Sequence, residues 1–141
     1  MDDESTTPDL VRLARQGYGA MSRGDVDGVM SVFAADAVLD MSAAGLGTFE
    51  GAEAIRRFVR DWRRPYETDY RYEVEEFLDL GHGVLLSVVR ESGRLVGGNG
   101  RVEERVAHLM TWANGKIEWY KHYPEPDEAR VAAERLAQQP R

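Results

Sequence analysis

The hydrophobic period of this chain changes once, near Thr68, and that change limits the possible folds more than any other feature. Before it, apolar residues recur at helical spacing; after it, they alternate with polar ones as in strands. Leu10, Leu13, Ala14, Gly17 and Met21 form one stripe, with Tyr18 on its flank. Thr7 as N-cap, Pro8 at the first helical position and Asp9 in the first turn start this helix, and Gly24 ends it. Asp25 then caps a shorter helix with Val26, Val29, Met30 and Phe33 on one face, closed by Asp36. Residues 37–41 read as a short strand and 42–51 as a loop, with an extended turn at Thr48-Phe49. A third helix carries Ile55, Phe58, Val59 and Trp62 and stops at Pro65.

In the second half, Tyr70, Tyr72 and Val74 alternate with charged residues in a strand that ends near Gly81-His82-Gly83. Residues 84–91 are apolar on both parities, which predicts a strand covered on both faces. A glycine-rich connection, 93–100, leads to a long strand over 101–112. The Asn114-Gly115 turn joins it to a partner over 116–123. Pro124 and Pro126 break the chain, and a last helix buries Ala129, Ala132, Ala133 and Leu136. Helices first and antiparallel strands afterwards define an α+β fold, with helices on one face of a curved sheet. One domain over residues 1–141 is expected, with flexible tails at 1–7 and 138–141.

Composition removes several functions. The chain has no cysteine, so disulfides, thiolate nucleophiles and thiolate metal sites are excluded. A net charge of −7 opposes phosphate backbones and anionic lipid, which argues against nucleic acid and membrane partners. The start Met1-Asp2-Asp3-Glu4 is acidic where a signal peptide is basic, and a cytoplasmic location is expected. Asp25-Val26-Asp27-Gly28 lacks the remaining ligands of a calcium loop. The three histidines, His82, His108 and His122, have no paired metal-ligand spacing, and no metal is expected.

Three segments carry a family resemblance: RGDVDGVMSVFAADAVLD, FEGAEAIRRFVRDW and ERVAHLMTWANGKIEWYKHYPEPDEA. In their order they resemble the nuclear transport factor 2-like superfamily, and within it the SnoaL-like branch of polyketide cyclases and ketosteroid isomerases. The resemblance runs from about Leu10 to Ala133. It implies a cone-shaped α+β barrel, in which a strongly bent, mainly antiparallel sheet wraps around the first helix and leaves a deep apolar pocket. It also implies a homodimer through the outer face of the sheet, for which Leu85 and Val89 are the expected contacts. The superfamily carries unrelated functions on one scaffold, so the resemblance implies a pocket and not a reaction.

Isomerase-like members use a tyrosine on the first helix, an aspartate base at the end of the first strand and a protonated aspartate on a late strand. Matched by position, the tyrosine falls on Gly17, with Tyr18 beside it. The base falls on Met41, with Asp40 just before it, and the late acid falls on His108. In family register Met41 points into the pocket and Asp40 away; a bulge near Ser42 would reverse them. His108 shares the parity of Val102, Glu104, Val106, Met110 and Trp112, which is the core-facing side of its strand. Two readings of His108 stand: a neutral imidazole that moves a proton for a ligand, or a core histidine satisfied by a tyrosine or backbone group. Glu104, four residues away, is expected to be solvated.

The candidate catalytic residues are therefore His108 and, as an optional second group, Asp40. The candidate pocket lining is Tyr18, Met41, Phe58, Trp62, Met110, Trp112, Trp119 and Tyr123, with Trp62 near the mouth. The arginines 56, 57, 60, 63 and 64 read as a solvated helix face. Two functions follow. One is an isomerase, cyclase or hydratase that acts on a small hydrophobic metabolite and uses no cofactor. The other is a pocket protein of the same fold that binds such a ligand, or assembles, without catalysis.

Overall fold

The computed structural model describes residues 9–66, 69–98 and 100–139. The expected cap at Thr7 and Pro8, and the expected tail over 1–7, lie outside them. Helix α1 (Leu10–Arg23) is capped instead by Asp9, whose carboxylate accepts from the Arg12 N–H at 3.2 Å. Gly24 ends it in the left-handed region at φ 76°, where its N–H reaches the Ala20 and Met21 carbonyls. Asp25 caps α2 (Val26–Met30) by accepting from the Gly28 N–H at 2.9 Å.

Helix α2 is shorter than its apolar spacing suggests, and Phe33 belongs to the strand that follows, β1 (Phe33–Asp40). The chain leaves the helix because the sheet takes its backbone: the Ile117 N–H donates to the Val32 carbonyl at 2.7 Å. Lys116 Nζ also holds the Ser31 carbonyl at 2.5 Å. A 3₁₀ turn (Ser42–Ala44), β2 (Thr48–Glu50) and α3 (Ala52–Arg63) come next. Arg63 does not join a solvated face; its guanidinium donates to the Met21 and Ser22 carbonyls, both at 3.0 Å, and closes the C-terminus of α1.

The remaining elements are β3 (Arg71–Gly81), β4 (Val84–Arg94), β5 (Arg101–Ala113), β6 (Lys116–Tyr123) and α4 (Pro126–Gln138). Helix α4 runs to Gln138, the first residue of the expected C-terminal tail. The six strands form one curved, unclosed sheet in the order β2-β1-β6-β5-β4-β3. The β1–β6 pair is parallel and the other pairs are antiparallel. Helix α1 packs on the concave face against Leu85, Val89, Val106 and Met110, while α3 packs over β1 with Ile55 and Val59.

Strand β4 is covered on both faces, as its double apolar parity predicts, but by different groups than expected. Leu85 and Val89 turn inward toward α1. The outward row is Val84, Leu86 and Val88, and α4 covers it with Ala129 and Ala133. Burying each of those three side chains is worth about 1.5–3 kcal/mol. Arg130 of α4 adds a bidentate pair with Glu76 of β3, at 2.7 and 3.1 Å. Leu85 and Val89 are therefore not available as dimer contacts; both are fully buried inside the chain.

The β5–β6 hairpin contains one irregularity that decides what faces the concave side. Trp112 pairs with Ile117, yet Thr111 pairs with Trp119, so Glu118 is an extra residue on β6. A regular ladder would pair His108 with Lys121 and turn Trp119 and Tyr123 inward. The bulge pairs His108 with His122 instead. Trp119 and Tyr123 then pack on the outer side with α4, correcting their expected place in the pocket.

Candidate active site

The concave face and the helices over it enclose a cavity of about 80 Å³, several times what one water needs. Its apolar wall comes from Ala14, Gly17 and Met21 of α1, Phe58, Val59 and Trp62 of α3, and Leu39, Met41, Met110 and Ile117 on or beside the strands. Its polar groups are Tyr18, Tyr72, His108, Tyr120 and His122. Of the residues singled out from sequence, Tyr18, Met41, Phe58, Trp62, Met110 and His108 line it. Trp112 does not: it is buried in the core beneath α1, and its indole N–H has no hydrogen-bond partner among the described residues.

Asp40 does not join His108. It lies at the end of β1 on the opposite side from Met41, where it accepts from the Ser42 N–H at 2.9 Å and the Ser42 hydroxyl at 2.6 Å. Lys121 Nζ stands 3.8 Å away. The alternation of β1 explains the outcome: Ala37, Leu39 and Met41 are buried on one parity, and Asp40 falls on the other. Although some desolvation opposes it, the hydrogen bonds from Ser42, with the Lys121 charge, hold its carboxyl below the usual carboxylate range. Asp40 is thus an ionised, internally satisfied end-of-strand residue.

His108 is 1% exposed and sits at the centre of a row that crosses three strands, Ser87–His108–His122. The Tyr18 hydroxyl, brought in from α1, lies 2.7 Å from His108 Nδ1 and 2.5 Å from Ser87 Oγ. Within the described residues this is the hydrogen bond made by the ring, and it engages Nδ1. Four rings surround His108: Tyr120 at 4.9 Å, His122 at 5.3 Å, Tyr18 at 5.7 Å and Tyr72 at 5.8 Å between centroids.

The hydroxyls can orient in two self-consistent ways. If Tyr18 donates to Nδ1, Ser87 donates to Tyr18, and the neutral ring carries its proton on Nε2. If Nδ1–H donates to Tyr18, Tyr18 donates to Ser87, and Nε2 becomes an acceptor. The second nitrogen can therefore act as donor or acceptor with no net charge placed in the cavity.

Burial keeps the whole site neutral. Desolvation pushes the His108 imidazole well below the ordinary histidine range, with further lowering by His122. Burial likewise lowers His122 from 6.5 to about 4. The hydroxyls of Tyr18, Tyr72 and Tyr120 are pushed above the ordinary phenol range, again first by burial.

Two participants carry no obvious signal in the sequence. His122 depends on the bulge at Glu118, which turns it inward. Glu91, 2% exposed on the inward parity of β4, accepts from Trp62 Nε1 at 2.8 Å and from the Tyr70 hydroxyl through Oε2. Its Oε1 is buried with no partner among the described residues, and desolvation pushes its carboxyl upward. Glu91 fixes the Trp62 indole, whose ring then lies 6.4 Å from that of His122. Glu104 is exposed, as expected.

Among the described residues no group of three or more His, Asp or Glu side chains is arranged to hold a metal ion. No helix there is long and apolar enough to cross a membrane.

A bent sheet wrapped on a helix, with a polar row deep in an apolar cavity, defines the ketosteroid isomerase-like, nuclear transport factor 2-like class of α+β proteins. Residues 14–120 match the SnoaL-like domain, and the chain belongs to that family. Several solved structures share its fold. A hypothetical protein with a ketosteroid isomerase-like fold from Catenulispora acidiphila, in complex with trimethylamine, is 18% identical, with TM-score 0.71 and 84% and 86% of the two chains covered. A nuclear transport factor 2-like protein of unknown function from Burkholderia pseudomallei is 22% identical, with TM-score 0.70 over 94% and 100%. An LEH-like epoxide hydrolase from M. tuberculosis is 15% identical, with TM-score 0.69 over 89% and 90%. No curated protein matches the chain.

Proposed function

We propose that this protein binds a compact, neutral, largely apolar molecule bearing a carbonyl or hydroxyl oxygen, and moves a proton on it without a cofactor. The reaction class is an isomerisation, cyclisation or hydration. The observation that carries this reading is His108, neutral and lining an apolar cavity, with Nδ1 held by Tyr18 at 2.7 Å. Tyr18 and Ser87 hold the ring through Nδ1, so Nε2 is the nitrogen left to meet a ligand oxygen. A buried neutral imidazole that donates from Nε2 polarises a carbonyl without the cost of carrying a charge into the cavity. Ionised ligands, by contrast, would lose their hydration among groups that supply no countercharge.

The same pocket without turnover is the second reading. One observation favours it: Asp40, the carboxylate expected as base, lies outside the cavity and is satisfied by Ser42. The two share the ligand and differ in the chemistry.

Fluorescence of Trp62, in the cavity wall, provides the binding test. A panel of one- and two-ring ketones and phenols should quench it, while sugars and nucleotides should not. His108→Phe, which keeps the bulk and removes both nitrogens, should weaken the binding of ketones about 10-fold or more and leave hydrocarbons unaffected. Saturation by nucleotides alone would refute the ligand class, and equal ketone affinity in the variant would remove His108 from the site.

A further inference from the structure

We infer that His122 is the proton-abstracting base of this site and that His108 is its electrophilic partner, so two histidines replace the histidine–aspartate arrangement expected from sequence. The inference rests on the acid–base reading above and adds the residue that reading lacks. His122 is 6% exposed, lines the same cavity and faces His108 directly across the β5–β6 ladder, with ring centroids 5.3 Å apart. The described residues give it no side-chain hydrogen bond, whereas His108 is anchored through Nδ1. Trp62, itself tied to Glu91 at 2.8 Å, lies against its ring. One histidine is thus anchored through Nδ1, which leaves Nε2 to meet a ligand, and the other is held by packing, with its nitrogens uncommitted.

On a β,γ-unsaturated ketone the division of work is explicit. His122 takes a proton from the carbon between the carbonyl and the alkene. The C–H pair becomes the new C=C bond, and the carbonyl π pair moves onto oxygen, where His108 Nε2–H donates a hydrogen bond. The cavity then holds an imidazolium and an enolate, which is neutral overall. His122 returns the same proton to the far alkene carbon, the carbonyl reforms, and the conjugated ketone leaves with both histidines unchanged. Positioned general bases of this kind contribute about 10²–10⁴-fold.

Cyclohex-3-enone, whose conversion to cyclohex-2-enone is read by ultraviolet absorbance, is a probe small enough for the cavity. The wild-type protein should accelerate that conversion over buffer. His122→Phe and His122→Asn should each lower kcat about 100-fold or more with KM within about 3-fold, and thermal melts should show that at least one variant is folded. His108→Phe should raise KM as well as lower kcat. Wild-type turnover with both His122 variants within about 3-fold of it would overturn the role of His122 and leave the acid–base reading intact. No turnover by the wild type would overturn that reading and the inference together.

Discussion

Burial of His122 ties the stability of the fold to pH, and the size of the effect follows from the site. The ring carries no charge until about pH 4 in the folded chain, against an ordinary histidine value of 6.5. Below 6.5 the unfolded chain takes up a proton that the folded chain refuses, so stability falls as pH drops and levels off near 4. At about 1.4 kcal/mol per pH unit, the loss from His122 alone is about 3 kcal/mol. That is a large share of the stability of a small domain. Urea unfolding of the wild type and of His122→Phe at pH 7.5, 5.5 and 4.2 separates this contribution from the rest. The carboxylates with lowered values, Asp40, Asp69, Glu75 and Glu76, also favour unfolding in acid, and Glu91 acts in the opposite sense. Both proteins share them, and both keep His108, whose lowering comes first from burial and only then from His122, so the difference between the two curves reports mainly His122. The variant should lose about 3 kcal/mol less than wild type between pH 7.5 and 4.2. Parallel curves would mean that His122 titrates like a surface histidine, and the neutral-cavity reasoning would fail.

Three further perturbations probe other parts of the structure. Tyr18→Phe removes the hydroxyl shared by Ser87 and His108 and should cost about 1–3 kcal/mol in urea unfolding, since both partners are buried; Ser87→Ala, which keeps the Tyr18–His108 bond, should cost less. Glu91→Ala strands the Tyr70 hydroxyl proton and leaves the Trp62 indole N–H only its 2.9 Å bond to the Tyr70 oxygen, and should cost about 1–3 kcal/mol; Glu91→Gln keeps an acceptor and should recover part of it. Removal of α4 by a stop after Tyr123 exposes Val84, Leu86 and Val88, and should produce association by sedimentation and binding of a hydrophobic dye.

Much of this architecture is legible in the sequence because its periods are clean. The stripe from Leu10 to Met21, the Gly24–Asp25 junction and the Asn114-Gly115 turn each specify a local geometry that tertiary packing leaves alone. His108 is legible as a cavity residue for the same reason: the parity of β5 is unbroken around it. The errors come where a long-range contact overrides local spacing. Phe33 has the spacing of the α2 face, yet the backbone at Val32 is taken by Ile117 and the strand starts early. The single extra residue at Glu118 exchanges Trp119 and Tyr123 for Tyr120 and His122 on the inner side, and no composition signal marks it. Parity alone cannot tell which row of β4 faces outward, so Leu85 and Val89 read as surface contacts: double apolar parity says that both faces are covered, not by what. The helix that covers the outer face, α4, supplies only alanines at its buried positions.

The most direct test of the central claim is the nitrogen-15 spectrum of the histidine rings, recorded with and without saturating 2-naphthol, a neutral ring compound with one hydroxyl. His108 should be neutral at pH 7 in the free protein. On binding, its Nε2 resonance should move while Nδ1, held by Tyr18, stays nearly fixed. A bound ligand that leaves both His108 nitrogens unchanged, or a His108 ring already protonated at pH 7, would contradict the account.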